Sequence, residues 1–181
     1  MKDTRDQIIY GVITYLLRDN EVLLVYKKRG HGAGKWNGPG GKIEKENPVE
    51  AAIRETKEET GVEVNNPELC GIIEFYDVYE QDWIVYIFRS EEFSGEPKES
   101  EECFPRWFHL EEIPYHKMWE DDKIWLPLVI NKKYFWAKFW FKDEKMLKYN
   151  LQEMSKEDFL SLQKEFLKIQ EDNYESPYYS V

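Results

Sequence analysis

The stretch GGKIEKENPVEAAIRETKEETGV, residues 40–62, decides the fold of this chain. A glycine pair and a polar loop lead into a segment that carries Arg54, Glu55, Glu58 and Glu59 within about two helical turns. Residues three and four apart lie on the same side of a helix, so the three glutamates project together. The spacing therefore predicts a helix with one acidic face and one buried face.

The opposite side of the predicted helix carries small and apolar side chains that can pack against a core. They are Val49, Ala52, Ile53, Thr56 and Thr60. On the acidic side, each pair of crowded like charges destabilises a helix by about 0.2–0.5 kcal/mol, which favours a bound cation. Hard carboxylate oxygens suit Mg²⁺, with Mn²⁺ as the alternative ion. The competing interpretation is a solvated acidic face, which is what most glutamate runs are.

The spacing of this stretch resembles the signature of the Nudix hydrolases, Gly-x5-Glu-x7-Arg-Glu-x-x-Glu-Glu-x-Gly followed by an apolar residue. The matching positions are Gly40, Glu46, Arg54, Glu55, Glu58, Glu59, Gly61 and Val62. The resemblance implies an α+β fold, an α/β/α sandwich in which helices pack on a mixed β-sheet. It also implies hydrolysis of a nucleoside diphosphate that is linked to a further group.

Length and charge narrow the class of protein. A chain of 181 residues has the length of one domain with a sizeable core. The formal charge of −11 disfavours binding to a nucleic-acid polymer or to an anionic membrane. Small phosphorylated ligands remain compatible with this charge when a metal ion screens them. The apolar run at residues 8–17 is too short to span a bilayer, and we expect a strand there.

The two cysteines, Cys70 and Cys103, fit no metal-ligand spacing and no disulfide framework. We therefore expect reduced thiols in a cytoplasmic protein. A disulfide between the two remains the alternative.

Strand and helix signals follow one another along the whole chain. β-Branched and aromatic residues predict two strands at 8–17 and 22–26, joined as a hairpin. A glycine-rich loop at 27–41 follows, which lets the backbone approach a ligand closely. Residues 115–131 begin irregularly and then indicate a helix, with Pro127 opposing a long one. Five further strands are predicted at about 68–76, 83–90, 105–110, 134–141 and 146–152.

The C-terminal part of the chain has a different sequence pattern from the rest. We therefore divide the chain into a domain at residues 1–153 and an extension at residues 154–181. Ser155 and Asp158 match a capping pattern. An amphipathic helix is therefore predicted to about residue 170, followed by a tail. The helix either packs on its own domain or contacts a second copy or a partner, so we expect a monomer or a weak dimer. Its apolar stripe consists of Phe159, Leu162, Phe166 and Ile169.

Three other segments resemble one branch of the Nudix family, the animal MutT homologues, which hydrolyse oxidised purine nucleoside triphosphates such as 8-oxo-dGTP and 2-hydroxy-dATP. The segments are RGHGAGKWNGPGGK at 29–42, PRWFHLEEIPYHKMWEDDKIWLPLVINKK at 105–133 and YFWAKFWF at 134–141. The resemblance covers roughly residues 8–153, and its most specific part is MWEDD at 118–122.

This resemblance implies two groups of site residues. The base pocket would contain Asn37, Phe75, Trp119, Asp121 and Asp122, with Lys27 near the substrate. Metal and pyrophosphate binding would fall to the backbone of Gly40 and to Glu55, Glu58 and Glu59, with Glu102 facing them from a loop and Arg54 orienting the carboxylates.

The implied base pocket makes chemical sense. Trp119 offers a flat face on which a purine can stack, and Asn37 can both donate and accept at a purine edge. Adjacent carboxylates such as Asp121 and Asp122 do not both stay ionised in a dry pocket, so one holds a proton and donates while the other accepts. His31 stands where the branch has a phenylalanine and adds a titratable group to the pocket. Without the surrounding match, an acidic helix start is the preferred interpretation of WEDD, and Trp119 is equally well a core residue.

The sequence therefore predicts a Mg²⁺-dependent hydrolase that releases pyrophosphate and sanitises the nucleotide pool. Glu59 is the expected central metal ligand, and the general base is one carboxylate among Glu55, Glu58, Glu59 and Glu102. One rival is a Nudix enzyme for an ordinary dNTP, ADP-ribose or a dinucleoside polyphosphate. The other rival is a non-catalytic nucleotide-binding module that uses the C-terminal helix to engage a partner.

Overall fold

The computed structural model describes residues 7–174 of the chain, and side chains as far as residue 169. Three α-helices lie in this part: α1 (Pro48–Thr60), α2 (Asp122–Ile130) and α3 (Lys156–Tyr174). The strands are β1 (Ile9–Arg18), β2 (Glu21–Lys27), β3 (Trp36–Asn37), β4 (Gly40–Lys42), β5 (Glu63–Val64), β6 (Glu68–Val78), β7 (Gln81–Ser90), β8 (Phe93–Ser94), β9 (Cys103–His109), β10 (Tyr134–Lys142) and β11 (Lys145–Met154).

Nine of these strands form one mixed sheet. Its order is β11-β10-β6-β7-β1-β2-β3, with β4 beside β1 and β9 beside β2, while β5 and β8 form a separate pair. Strand β7 runs parallel to β1 and β10 runs parallel to β6, whereas β6 and β7 are antiparallel. A mixed sheet with helices packed on it confirms the predicted α+β class.

The helices cover both faces of the sheet, because successive side chains of a strand point to opposite faces. On β6, Ile72 belongs to a buried cluster with Ala52 of α1 and Phe159 of α3. Its neighbour Ile73 belongs to a different cluster that contains Trp125 of α2. Helices α1 and α3 therefore lie on one face and α2 on the other, which is the predicted α/β/α sandwich.

The predicted hairpin at the start of the chain is correct only at its turn. Strands β1 and β2 pair through Leu17–Val22 and Arg18–Glu21 and then separate. Beyond that point, β1 pairs with β7 and β4, and β2 pairs with β9 and β3. Both strands contribute residues to the cavity described below, since Ile13 and Lys27 each line it.

The strands predicted after the first helix are all present, and their ends lie within two residues of the predicted ones. The short strands β3, β4, β5 and β8 were not predicted. Residues 115–131 begin with a single 3₁₀ turn at Tyr115–Lys117 and continue as α2, with Pro127 inside the helix. The irregular start of this segment is therefore confirmed.

Helix α3 packs on its own domain. The hydroxyl of Ser155 accepts from the backbone N–H of Asp158 at 3.1 Å, and Phe159 is fully buried against Tyr134. The helix reaches Tyr174, further than the predicted end near residue 170. Residues 175–181 of the predicted tail lie outside the described residues, and the division of the chain at residue 153 stays a prediction. In the described part of the chain, no helix has the length and apolarity needed to cross a membrane.

Candidate active site

Helix α1 is held at both ends by its own sequence. The side chain of Asn47 accepts from the backbone N–H of Glu50 at 2.9 Å, and Glu50 accepts from the backbone N–H of Asn47 at 3.0 Å. This reciprocal pair is a capping box, and Pro48 at the first helical position is compatible with it. At the other end, Gly61 adopts a left-handed φ of 77°, which closes the helix.

The buried side of α1 differs from the predicted one at three positions. Val49, predicted to pack, is 43% exposed, and Ala51 is buried in its place. Glu59, assigned to the acidic face, is only 5% exposed. Glu59 shares the buried side of α1 with Thr56 and Thr60, so one carboxylate of the acidic group enters the interior.

The glycine pair before α1 is required by close contacts. A Cβ at Gly40 would lie 2.0 Å from the carbonyl oxygen of Val12 on β1. A Cβ at Gly41 would lie 2.5 Å from the carboxyl carbon of Glu55. Neither position can accept a side chain without displacing its neighbour, so the pair lets the Glu55 carboxylate lie directly against β4.

Arg54 connects the polar loop to the carboxylates of α1. Its Nε lies 2.9 Å and 3.0 Å from the two oxygens of Glu46, and its Nη1 donates to Glu55 at 2.8 Å and to Glu58 at 3.2 Å. A further bond reaches the carbonyl of Lys42 at 3.1 Å. Hydrogen bonding to Arg54 lowers the pKa of Glu46, which keeps this carboxylate ionised. The guanidinium therefore contacts three carboxylates at once, and its role in orienting them stays a prediction.

Glu59 is held from the other side by β2 and β9. Lys27 Nζ donates to its Oε1 at 3.2 Å, and the thiol of Cys103 donates to its Oε2 at 3.2 Å. Burial raises the pKa of Glu59, while the charge of Lys27, the thiol and the backbone N–H of Gly40 oppose that rise. Burial alone lowers the pKa of Lys27, but the charge of Glu59 raises it overall.

The chemistry of these donors fits a divalent cation. Glu55, Glu58 and Glu59 offer hard oxygen atoms, the ligand type that Mg²⁺ and Mn²⁺ take. Burial raises the pKa of Glu55, Arg54 opposes this, and the charges of Glu58 and Glu59 add to the rise. A cation would offset that repulsion.

As they stand, however, the oxygens of these carboxylates are engaged by Arg54 and Lys27. Among the described residues, no three His, Cys, Asp or Glu side chains are arranged to hold a metal ion. Metal binding therefore requires Lys27 and Arg54 to release the oxygen atoms that they engage.

A cavity of about 220 Å³ opens beside Glu59. Four of the predicted site residues do not line it: Arg54, Glu55, Glu58 and Glu102. The Glu102 side chain is more than half exposed and accepts from Arg29 Nη2 at 3.2 Å. The predicted residues that do line it are Lys27, His31, Asn37, Gly40, Glu59, Phe75, Trp119, Asp121 and Asp122.

Two adjacent carboxyl groups form one wall of this cavity. Asp121 and Asp122 are each 2% exposed. Asp121 Oδ2 accepts from the indole N–H of Trp125 at 2.7 Å, whereas Asp122 Oδ2 is buried and has no hydrogen-bond partner among the described residues. Burial raises the pKa of both groups, and the charge of Asp121 raises that of Asp122 further. Asp122 Oδ2 is therefore available to form a hydrogen bond with a ligand in the cavity.

Three aromatic rings stack across the cavity. The imidazole of His31 lies between the indoles of Trp83 and Trp119, with ring centroids 5.4 Å away on each side. The interplanar angles of 29° and 19° make both contacts stacked. Burial lowers the pKa of His31, and the charges of Lys27 and Lys42 lower it further. A neutral imidazole thus occupies a slot whose shape suits a planar ring.

The remaining predicted pocket residues are anchored within the domain. Asn37 Oδ1 accepts from the backbone N–H of Gly38 at 2.8 Å and from the Tyr15 hydroxyl at 3.4 Å. Phe75 stacks on Phe139 with a centroid distance of 5.8 Å. The side-chain amide of Asn37 is therefore oriented through its oxygen, and the ring of Phe75 continues the apolar core into the cavity.

Sequence reasoning missed two residues of this site, Trp83 and Cys103. Trp83 lies on β7, far in sequence from Trp119, and only the register of the sheet places it beside His31. Cys103 is a free thiol at the first residue of β9. Cys103 lies directly opposite Lys27 on the neighbouring strand, which could have indicated that it belongs to the site. That relation is visible only once the pairing of β2 with β9 is known.

The comparison with known proteins identifies the family. A NUDIX domain model matches residues 8–129. The chain belongs to the Nudix family. Members of this family generally need a divalent metal ion, which agrees with the carboxylates gathered on α1.

Relatives of this Nudix protein include two named as oxidized purine nucleoside triphosphate hydrolases. The one from Danio rerio is 43% identical over 132 residues, covering 72% of this chain and 85% of the relative. The one from Mus musculus is 41% identical over 145 residues, covering 78% and 93%. Among solved structures, a MutT protein from Bacillus halodurans superposes with a TM-score of 0.73 at 31% identity, covering 80% of this chain and 98% of that one.

Proposed function

We propose that this Nudix hydrolase cleaves oxidised purine nucleoside triphosphates, with 8-oxo-dGTP and 2-hydroxy-dATP as substrates, to the monophosphate and pyrophosphate. The observation that carries the proposal is a single cavity lined by both Glu59 of the Nudix helix and the buried pair Asp121 and Asp122. A nucleotide bound there contacts reaction machinery and base-reading groups together. The relatives named above are similar over most of their length, which supports the same substrate class.

The aspartate pair supports recognition of the oxidised base. Oxidation of guanine at C8 converts N7 from an acceptor into an N–H donor, which a carboxylate oxygen can accept. Asp122 Oδ2 is buried with no partner among the described residues and is free to meet this edge of the base. Burial and mutual repulsion favour one proton on the pair, so the protonated carboxyl donates and the ionised one accepts. Moving that proton between Asp121 and Asp122 lets one pocket take more than one purine.

The aromatic slot supports base stacking. Trp119 and Trp83 lie on either side of the His31 ring, and a base that displaces this ring stacks between the two indoles. Stacking of a base on an aromatic side chain contributes about 1–3 kcal/mol. Since the oxygen of Asn37 is engaged by Gly38 and Tyr15, its amide N–H₂ is the group that donates to a purine.

At the phosphate side, Glu55, Glu58 and Glu59 would hold Mg²⁺, or Mn²⁺ in its place, with the carbonyl of Gly40 and with Glu102 from its loop. When bound, the metal polarises the phosphates and lowers the pKa of a coordinated water. Arg54 hydrogen-bonds to two of these carboxylates and holds them in place. Lys27, once it leaves Glu59, is a cation for a phosphate oxygen.

A panel of oxidised and ordinary nucleoside triphosphates, with ADP-ribose and a dinucleoside polyphosphate, tests the proposal. The assay measures pyrophosphate release with Mg²⁺. We expect kcat/KM for 8-oxo-dGTP to exceed that for dGTP by at least about tenfold, which is the discrimination given by about 1.4 kcal/mol. Equal kcat/KM values for the two nucleotides would contradict a role in removing oxidised nucleotides, although the protein would still be a hydrolase. No turnover of any nucleotide would favour a non-catalytic binding module.

Glu59→Gln tests the reaction machinery. The substitution keeps the shape of the side chain and removes its charge, so we expect kcat to fall by at least about a hundredfold while the protein still unfolds cooperatively. Retention of near-normal kcat would show that Glu59 is not the central ligand.

We place the activity in the cytoplasm, on free nucleotides, with the protein as a monomer or weak dimer. No nucleic-acid polymer or membrane takes part, which agrees with a formal charge of −11. A light-scattering mass measured at several concentrations tests the oligomeric state.

A further inference from the structure

The thiol of Cys103 lies beside the proposed catalytic carboxylate and has no role in the scheme above. Cys103 on β9 and Lys27 on β2 are direct cross-strand partners. Residues opposite each other in an antiparallel pair place their side chains on the same face of the sheet. The register therefore aims an ammonium group and a thiol at the same part of α1.

Both of these donors reach Glu59, one on each oxygen. Lys27 Nζ lies 3.2 Å from Oε1, and Cys103 Sγ lies 3.2 Å from Oε2. Glu59 is 5% exposed and Cys103 is fully buried, so little water can replace either bond. A buried carboxylate that loses a hydrogen-bond partner carries a desolvation cost, and its side chain gains freedom to rotate.

The thiol is enclosed at this place. Cys103 is fully buried in β9. The hydrogen bond from its sulfur ties β9 directly to the carboxylate of Glu59 on α1.

We propose that Cys103 is a positioning residue, whose thiol fixes Oε2 of Glu59 so that Oε1 is presented to the metal when Lys27 leaves it. This inference rests on the proposed role of Glu59 as a metal ligand. It divides the two donors by function, since the Lys27 side chain is 21% exposed and can leave Glu59, whereas Cys103 is fully buried and stays. The alternative is that Cys103 only fills space in the core.

Four variants separate these roles. Cys103→Ala removes the donor, and Cys103→Ser keeps an O–H donor at the same place. Cys70→Ala and Cys70→Ser are the matched controls, because Cys70 is also a fully buried free thiol, but its sulfur donates to the carbonyl of Ile87 in the sheet. Each variant is compared with wild type for kcat and KM on the preferred nucleotide, for Mn²⁺ affinity by electron paramagnetic resonance without nucleotide, and for thermal unfolding.

We expect Cys103→Ala to lower kcat and Mn²⁺ affinity by about tenfold each, the usual effect of losing a group that orients a metal ligand. KM for the nucleotide should change less than about twofold, since the thiol does not touch the base pocket. Cys103→Ser should recover most of both losses, and the Cys70 variants should match wild type in both readouts. Should Cys103→Ala unfold, Cys103→Val, which is close to cysteine in size and lacks a donor, takes its place.

Wild-type Mn²⁺ affinity and kcat in Cys103→Ala would overturn the inference, and so would equal losses in the serine and alanine variants. The metal-binding measurement needs no substrate. An inactive wild type would therefore defeat the proposed function, while the Mn²⁺ affinities would still decide the role of Cys103.

Discussion

Asp122 is the residue at which stability and recognition oppose each other most directly. In an unfolded chain an aspartate titrates near pH 3.9, whereas burial and the charge of Asp121 raise its pKa in the folded protein. The folded state then binds the proton more tightly than the unfolded state, so the free energy of unfolding falls as the pH rises from about 4 through the folded pKa.

Asp122→Asn removes this cost. We expect the variant to equal wild type in stability near pH 4 and to exceed it by about 1 kcal/mol or more at pH 8, since one pKa unit corresponds to about 1.4 kcal/mol. Urea unfolding at the two pH values measures the difference. The same variant should change the ratio of kcat/KM among oxidised purines. A constant ratio would contradict the role of the pair in reading the base.

Trp119 is the second residue whose role in the cavity can be tested by substitution. Its indole forms one side of the aromatic slot, so Trp119→Ala should lower kcat/KM for purine triphosphates by about tenfold or more, through loss of about 1–3 kcal/mol of stacking. Trp140→Ala is the matched control, because this half-buried indole stacks on Tyr76 and does not line the cavity. Equal losses in the two variants would show that general destabilisation, and not stacking, causes the effect.

At the scale of elements, Arg54 joins the loop before α1 to the helix itself. Both Arg54 and Glu46 are less than a third exposed, at 26% and 14%. A double-mutant cycle of Arg54→Lys and Glu46→Gln should therefore give a coupling of about 1–2 kcal/mol in unfolding free energy, as expected for charged, two-point hydrogen bonds. The cycle Lys57→Gln with Glu63→Gln, an exposed pair, should give much less. Coupling near zero at Arg54 would mean that the loop is held by its backbone alone.

Features that depend on a single helix could be predicted from the sequence, whereas features that depend on packing between elements could not. Arg54 and the glutamates of α1 were predicted because their relation depends on the period of one helix. The burial of Glu59 and the exposure of Val49 were not, because they depend on how α1 is rotated against the sheet. Trp83 and Cys103 were missed for the same kind of reason, since strand pairing far along the chain brings them to the site.

At the scale of the whole molecule, two clusters separated by one sheet support the site from both faces. The cluster of α1 and α3 holds the helix that carries Glu59, and the cluster of α2 holds the helix start that carries Asp121 and Asp122. The central strands β6 and β7 contribute to both clusters. The two halves of the cavity therefore keep their relative position only while the sheet between them is intact.

Helix α3 is part of this support, which makes Phe159 the test of the whole arrangement. Its ring is fully buried in the cluster that also contains Ala51 and Ala52 of α1. We expect Phe159→Ala to lower the free energy of unfolding by about 3–5 kcal/mol, the usual cost of removing a buried phenylalanine. Urea unfolding, followed by both tryptophan fluorescence and circular dichroism, measures the change.

The neighbouring Leu160 is 45% exposed and provides the control, so Leu160→Ala should change stability by no more than about 0.5 kcal/mol. Because Phe159 does not line the cavity, kcat/KM per folded molecule should stay within about twofold of wild type at low temperature. A single shifted transition in both probes would show that α3 and the sheet unfold together. A separate early transition, with activity retained after it, would instead show that the C-terminal helix is an appendage and that the domain stands without it.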